Sequence, residues 1–142
     1  MTNEARKRLL DVIGACEAIA EFVAGKDFAA YEADRLLRSG VERQFEIIGE
    51  ALNKAGSAEP ALATQIPDFH RIIGLRNRLI HGYDTVDDEI LWDVVQSKLG
   101  SLQAQVGAVL RDCEISQRVS LRSMILEAWA KIRAWLEEGF VS

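Results

Sequence analysis

Arg76, Asn77 and His81 are the side chains whose types and spacing could do chemistry. Asn77 and His81 are four residues apart, which on a helix puts them on one face and within side-chain reach. An imidazole titrates near neutral pH and can give or take a proton. A planar guanidinium binds phosphate bidentately. Arg76 also breaks a pattern: Phe69, Ile73 and Ile80 lie on one helical stripe, and Arg76 occupies the position between them where a hydrophobe is expected. An arginine there costs stability unless its guanidinium is paired or reaches a cleft. The adjoining stripe is His70, Gly74, Asn77 and His81, and Gly74 leaves room for another backbone or a ligand to come close. From Phe69 to Tyr83 the chain carries three arginines, two histidines and no acid, whereas Asp84 to Asp93 holds five acids. A basic helix bordered by an acidic turn reads as a site for a phosphate-bearing ligand.

Helices must position these groups. Leu9, Val12, Cys16, Ile19 and Val23 recur at steps of three and four, which predicts a helix over about Asn3 to Val23. Gly25, Lys26 and Asp27 read as its stop and a new cap. A second helix is centred on Leu37, Val41, Phe45, Ile48, Leu52 and Ala55, with Phe28 to Asp34 as a possible separate turn. Both prolines, Pro60 and Pro67, fall in the connection that follows. Asp68 is placed to cap the third helix and Gly82 to end it. Asp87 or Asp88 starts a fourth helix with the stripe Leu91, Val95, Leu99, Leu102, Val106 and Val109, in which Gly100 is a weak point. A last helix, about Ser120 to Glu138, carries Leu121, Ile125, Ala128, Ile132 and Trp135. No alternating strand pattern or hairpin turn signal appears. The expected fold is all-α, a bundle of about five helices.

Composition narrows the classes further. The 142 residues are 49% hydrophobic and 27% charged, enough for one domain with a real core. No apolar run approaches the 18 or so residues of a membrane span, and Glu4, Arg6, Lys7 and Arg8 precede an amphipathic stretch instead of a signal-peptide core. Cys16 and Cys113 form no CxxC pair, which suits a reducing, cytoplasmic setting. Two cysteines and two histidines remote in sequence make a structural zinc site improbable, and no cofactor is implied. A net charge of −5 argues against sequence-independent coating of nucleic acid, which needs phosphate neutralisation. It leaves room for a small local RNA site.

The string Arg76-Asn77-Arg78-Leu79-Ile80-His81-Gly82-Tyr83 resembles the R-x4-H-x-Y motif of the HepT-like toxins in the HEPN superfamily. The likeness extends to the helix Val41 to Ala51, with its Ile-Ile-Gly-Glu-Ala run, and to Ile90, Leu91 and Trp92 followed by Leu99 to Leu102. It covers roughly Ala5 to Leu110, so a HEPN-type bundle over residues 1–110 is expected. Residues 111–142 form a helical extension whose apolar face must pack on the same domain or on a partner.

The resemblance implies a metal-independent endoribonuclease acting as a homodimer, the toxin of a type VII-like toxin–antitoxin pair. Cleavage by a neighbouring 2′-hydroxyl needs a base for that hydroxyl, an acid for the leaving 5′-oxygen, and positive charge on the phosphorane. His81 suits the acid–base role, Arg76 the stabilisation of phosphate charge, and Asn77 the orientation of either. On an ideal helix Arg76 and His81 point roughly 140° apart, at about 100° per residue. One copy therefore converges poorly, and two copies facing each other could complete a site. In the family the motif tyrosine, Tyr83 here, accepts AMP from a cognate MntA-like nucleotidyltransferase antitoxin, which silences the nuclease. Phosphate attached beside Arg76 and His81 would occupy the RNA site. Glu50 reads as a structural residue that could pair with Arg76 across the bundle. The alternatives are a non-catalytic HEPN subunit that assists nucleotide or substrate binding by a partner nucleotidyltransferase, and a plain helical interaction module.

Overall fold

The computed structural model describes residues 1–81 and 87–139. Among these residues there are seven helical segments and no strand. They are α1 (Asn3–Val23), α2 (Phe28–Ala33), α3 (Arg35–Ala58), α4 (Leu62–Gln65), α5 (Phe69–Ile80), α6 (Asp88–Ser97) and α7 (Leu99–Gly139). By contacts the chain forms two units, Met1–Leu110 and Arg111–Ser142.

In the first unit α3 is the central element, packed on α1 on one side and on α5 on the other. The stripes predicted for α1 and α3 are buried: Leu9, Val12, Cys16 and Ile19 meet Leu37, Val41, Phe45, Ile48 and Leu52 in one core. Burying such side chains contributes roughly 1.5–3 kcal/mol each against the ordering entropy of the chain. Gly25 ends α1 at φ 71, in the left-handed region that glycine takes without strain. Asp27 then caps α2 by accepting a bond from the Ala30 N–H at 2.8 Å. Tyr31 of α2 is fully buried, with its ring centroid 5.1 Å from that of Trp92 on α6. The proline-bearing connection holds the single helical turn α4.

Two boundaries differ from expectation. Asp68 precedes α5 but makes no side-chain cap bond, because its backbone (φ −89, ψ 6) is not extended as a capping residue requires. Its carboxylate instead accepts a bond from Gln105 Nε2 at 3.1 Å, and its own N–H donates to Gln105 Oε1 at 3.4 Å, which ties the start of α5 to α7. Asp68 is thereby a buried acid with its bonds met. The helix expected to run from Leu91 to Val109 is interrupted at Lys98, two residues before Gly100. The Ser97 hydroxyl there donates to the Asp93 carbonyl at 2.6 Å, a back-bond that bends helices.

The second unit is the remainder of α7. No helix boundary separates Leu110 from Ser120, so the last helix, expected over about Ser120 to Glu138, continues the one before it. No glycine or proline lies between Glu114 and Ser120 to impose one. Ten large apolar side chains between Ile115 and Leu136 are exposed, Trp135 most of all at 71%.

Candidate active site

Arg76 stands where α5 comes closest to α3. The residues of α5 that turn toward α3 are Phe69, Ile72 and Arg76, at steps of three and four. Phe69 and Ile72 are buried, whereas Ile73 is half-buried and Ile80 is 47% exposed. The stripe predicted as Phe69, Ile73 and Ile80 is thus one position off at its middle. Two glycines of α3 explain the closeness. A Cβ on Gly49 would lie 2.2 Å from the Cβ of Arg76, and one on Gly56 would lie 2.5 Å from Phe69 Cζ. Gly49 and Gly56 are seven apart on α3, as Phe69 and Arg76 are on α5. The two helices therefore meet antiparallel, with a side chain of α5 over each glycine.

That contact holds the Arg76 stem against α3 and leaves its side chain 22% exposed. Nη2 donates to Glu50 Oε2 at 2.5 Å, and Nη1 donates to Asn77 Oδ1 at 3.1 Å. The Arg76 Nε is buried and has no hydrogen-bond partner among the described residues. Glu50 Oε1 lies 3.1 Å from Lys54 Nζ. The hydrogen bonds from Lys54 and then from Arg76 hold the Glu50 carboxyl below its usual range. Glu50 is half-exposed, so the pair orients the guanidinium more than it stabilises the fold.

Asn77 joins the two ends of the motif. Its side chain accepts from Arg76, and its carbonyl accepts from the His81 N–H at 3.1 Å. His81 closes α5 as the residue after its last turn (φ −76, ψ 3), with an exposed side chain. Gly82 and Tyr83 lie outside the described residues. Beside the Arg76–Glu50 pair lies a hollow of about 360 Å³ lined by Arg8, Asp11, Arg43, Glu46, Glu50 and Ile80. Its charges are mixed. Among the described residues no group of three or more His, Cys, Asp or Glu side chains is placed to hold a metal ion.

The pairing of Arg76 with Glu50 answers the requirement that an arginine on a packing face find a partner. The glycine spacing on α3 escaped the sequence reading, although both residues fall on that helix's buried side. Gly74, expected to let another backbone or a ligand come close, has no atom of the described residues within 4 Å of its Cβ position, so no backbone takes up that space.

An all-α bundle that holds an arginine by a glutamate of the central helix, next to an Asn-x3-His face, defines the class. Residues 12–109 match the family described as "Ribonuclease HepT-like". The chain belongs to this HepT-like ribonuclease family. It is 31% identical over 105 residues to a "Probable ribonuclease HepT" of Thermococcus cleftensis, covering 74% of this chain and 94% of the relative. A "Putative RNase" of Caldanaerobacter subterraneus subsp. tengcongensis is 30% identical over 106 residues, covering 75% of this chain and 94% of its own. One of Methanocaldococcus jannaschii is 29% identical over 107 residues, covering 75% and 97%. No solved structure matches the chain significantly.

Proposed function

We propose that this chain is an endoribonuclease that cuts RNA through the neighbouring 2′-hydroxyl, without a metal, and acts as the toxin of a toxin–antitoxin pair. The observation that carries the reading is the fixed guanidinium of Arg76, held by Glu50 and Asn77 on the helix that ends in the exposed His81. Membership of a ribonuclease family supports it.

In this mechanism His81 moves the proton, taking it from the 2′-hydroxyl or giving it to the leaving 5′-oxygen. Arg76 meets the charge that builds on the phosphorane, and its preset orientation means little reorganisation at the moment of reaction. Asn77 keeps the two ends of the motif in register. Because Arg76 turns toward α3 while His81 sits at the helix end, a homodimer that faces two motifs supplies acid and base from different copies. Tyr83, two residues beyond His81 in sequence, is the acceptor through which a cognate nucleotidyltransferase antitoxin silences the enzyme by AMPylation.

Purified His81→Ala and Arg76→Ala proteins test this against a labelled RNA. Both should lose cleavage and growth inhibition while keeping helical circular dichroism. Cleavage retained by a folded His81→Ala protein overturns it. A second reading is favoured by the Arg76–Glu50 pair itself, since a guanidinium already matched by a carboxylate need not bind phosphate: a non-catalytic subunit assisting a nucleotidyltransferase. Such a subunit would leave RNA intact at every concentration and raise its partner's nucleotide affinity.

A further inference from the structure

A groove separate from the Arg76–Glu50 pair runs between α5 and α6. It has a volume of about 420 Å³ and is edged by His70, Arg71 and Arg78 of α5 and by Lys98 just after α6. Leu75 and Val94 line its apolar part. We propose that this groove is the track on which a single RNA strand lays its phosphates on the way to His81. The proposal rests on the ribonuclease reading for its ligand, and on the following geometry for its place.

Positions 70, 74, 78 and 81 follow one another at steps of four, four and three, so they share one face of the helix. From His70 to His81 that face extends about 16 Å at 1.5 Å per residue. It accommodates about five stacked nucleotides at roughly 3.4 Å each. Gly74 sits in the middle of the track with open space where a side chain would be, so a sugar–phosphate can approach the bare backbone. The apolar part offers contact to base faces.

The charge balance selects an anion. Among the described residues the one acid lining the groove, Asp68, is buried and bonded to Gln105, with Arg71 Nη1 at 4.0 Å. Among the described residues no carboxylate pairs with Arg78 or Lys98. Among the described residues, two cations without a carboxylate partner face this groove, in a chain of net charge −5.

The test is binding of an oligouridine with 2′-O-methyl groups, which cannot be cut through its 2′-oxygens, measured by anisotropy over a salt series. The Arg78→Gln/Lys98→Gln double variant should bind several-fold more weakly. Its slope of log affinity against log salt should fall by about 1.4, at roughly 0.7 per phosphate contact on a single strand. Removing the same charge from Lys26 and Arg35, which do not line the groove, should leave the slope unchanged. Equal slopes for wild type and the groove variant, equal losses in the control, or no binding by wild type overturn the track. Salt-dependent binding lost in the groove variant, by a wild type that leaves natural RNA uncut, sustains the track and sinks the ribonuclease reading.

A different observation carries a second inference. The exposed apolar residues of α7 include Leu121, Ile125, Ile132 and Trp135, which with Ala128 follow steps of four, three, four and three, the spacing of a coiled-coil seam. The charges at the two ends of the seam are complementary when the helix is reversed on itself. Arg118 precedes it and faces Glu138, which follows it with Glu137, when the helix is reversed about Ala128; Arg122, Glu127, Lys131 and Arg133 lie within its span. A parallel pair would set arginine on arginine and glutamate on glutamate, which repels. We infer that this face is covered by the same face of a second copy, antiparallel and centred near Ala128. Such a contact is self-complementary, as a two-fold interface must be, and the small Ala128 lets the helices close.

In a full-length Cys113→Ser background, Arg118→Cys protein is mixed with Glu138→Cys protein under mild oxidation. Antiparallel pairing brings the two sites together, whereas in a parallel pair they are about 30 Å apart at 1.5 Å per residue. The mixed disulfide should therefore form several-fold faster than either symmetric one. Faster symmetric disulfides, or none of any kind, overturn the pairing.

Discussion

The Cβ of Arg76 stands 2.2 Å from where a Cβ on Gly49 would be, so the backbone of α3 meets α5 at the base of the arginine. No rotamer change at Arg76 relieves a clash at its own Cβ; a helix has to move. Gly49→Ala should therefore destabilise the protein by about 1–3 kcal/mol, as overpacking typically does, despite alanine's better helix propensity. Urea unfolding measures the loss. RNA cleavage by the folded variant should fall as well, because the shift carries Arg76 away from Glu50.

The Arg76–Glu50 pair makes a separate and smaller contribution to stability. With Glu50 43% exposed, its coupling in a double-mutant cycle should be under about 1 kcal/mol. Its pH dependence has a definite sign. The folded-state pKa of Glu50 is held below the usual 4.5, by the hydrogen bonds from Lys54 and then Arg76. The stabilisation is therefore present above that value and lost as the pH falls through the lower folded one. Unfolding curves of Glu50→Gln and wild type should converge in that acidic range and separate above it.

What the sequence discloses here depends on the kind of interaction. Periodicity located α1 to the residue and the buried line of α3, because a core stripe is a local property of one helix. Arg76 stood out for the same reason, as a charge on an apolar face. The choice between Ile72 and Ile73 as the buried residue was hidden, since it is set by how α5 rolls on α3, and that roll follows from Gly49 and Gly56 on another helix. Asp68 reads as a cap until Gln105, 37 residues away, claims its carboxylate. The groove at Arg78 and Lys98 likewise joins two helices across a turn. Its α5 half was visible as a basic stripe, its α6 half was not.

His81 should carry the pH–rate profile. If it moves the proton, replacing it with alanine should lower the cleavage rate by about 10²–10⁴-fold, the usual worth of a positioned general acid or base. Any residual rate should lose the pH dependence that His81 confers on the wild type. Rate profiles of the two proteins on one RNA substrate, with circular dichroism as the folding control, measure both effects.

AMPylation at Tyr83 is read by mass. Co-expressed with a nucleotidyltransferase of the proposed antitoxin class, the chain should gain one or more AMP groups, and Tyr83→Phe should gain none. Modified protein should fail to cut RNA and recover once the adenylate is removed. An unchanged intact mass in the presence of an active transferase would count against the assignment.

The two cysteines should differ in reactivity. Burial, and then the charge of Glu17, push the Cys16 thiol up to about 12, so almost no thiolate exists at neutral pH and the sulfur is enclosed in the core. Cys113 is partly exposed on α7. A maleimide added at neutral pH should label one site per chain, and peptide mapping should place it at Cys113. Labelling of Cys16 should appear only with denaturant, in step with unfolding. Because Cys16 lies against the α1–α3 core, its rate of labelling at low denaturant reports the opening of that core. The Gly49→Ala variant, with α3 displaced, should label faster at Cys16 than wild type, and Glu50→Gln, which leaves the packing intact, should speed the labelling less.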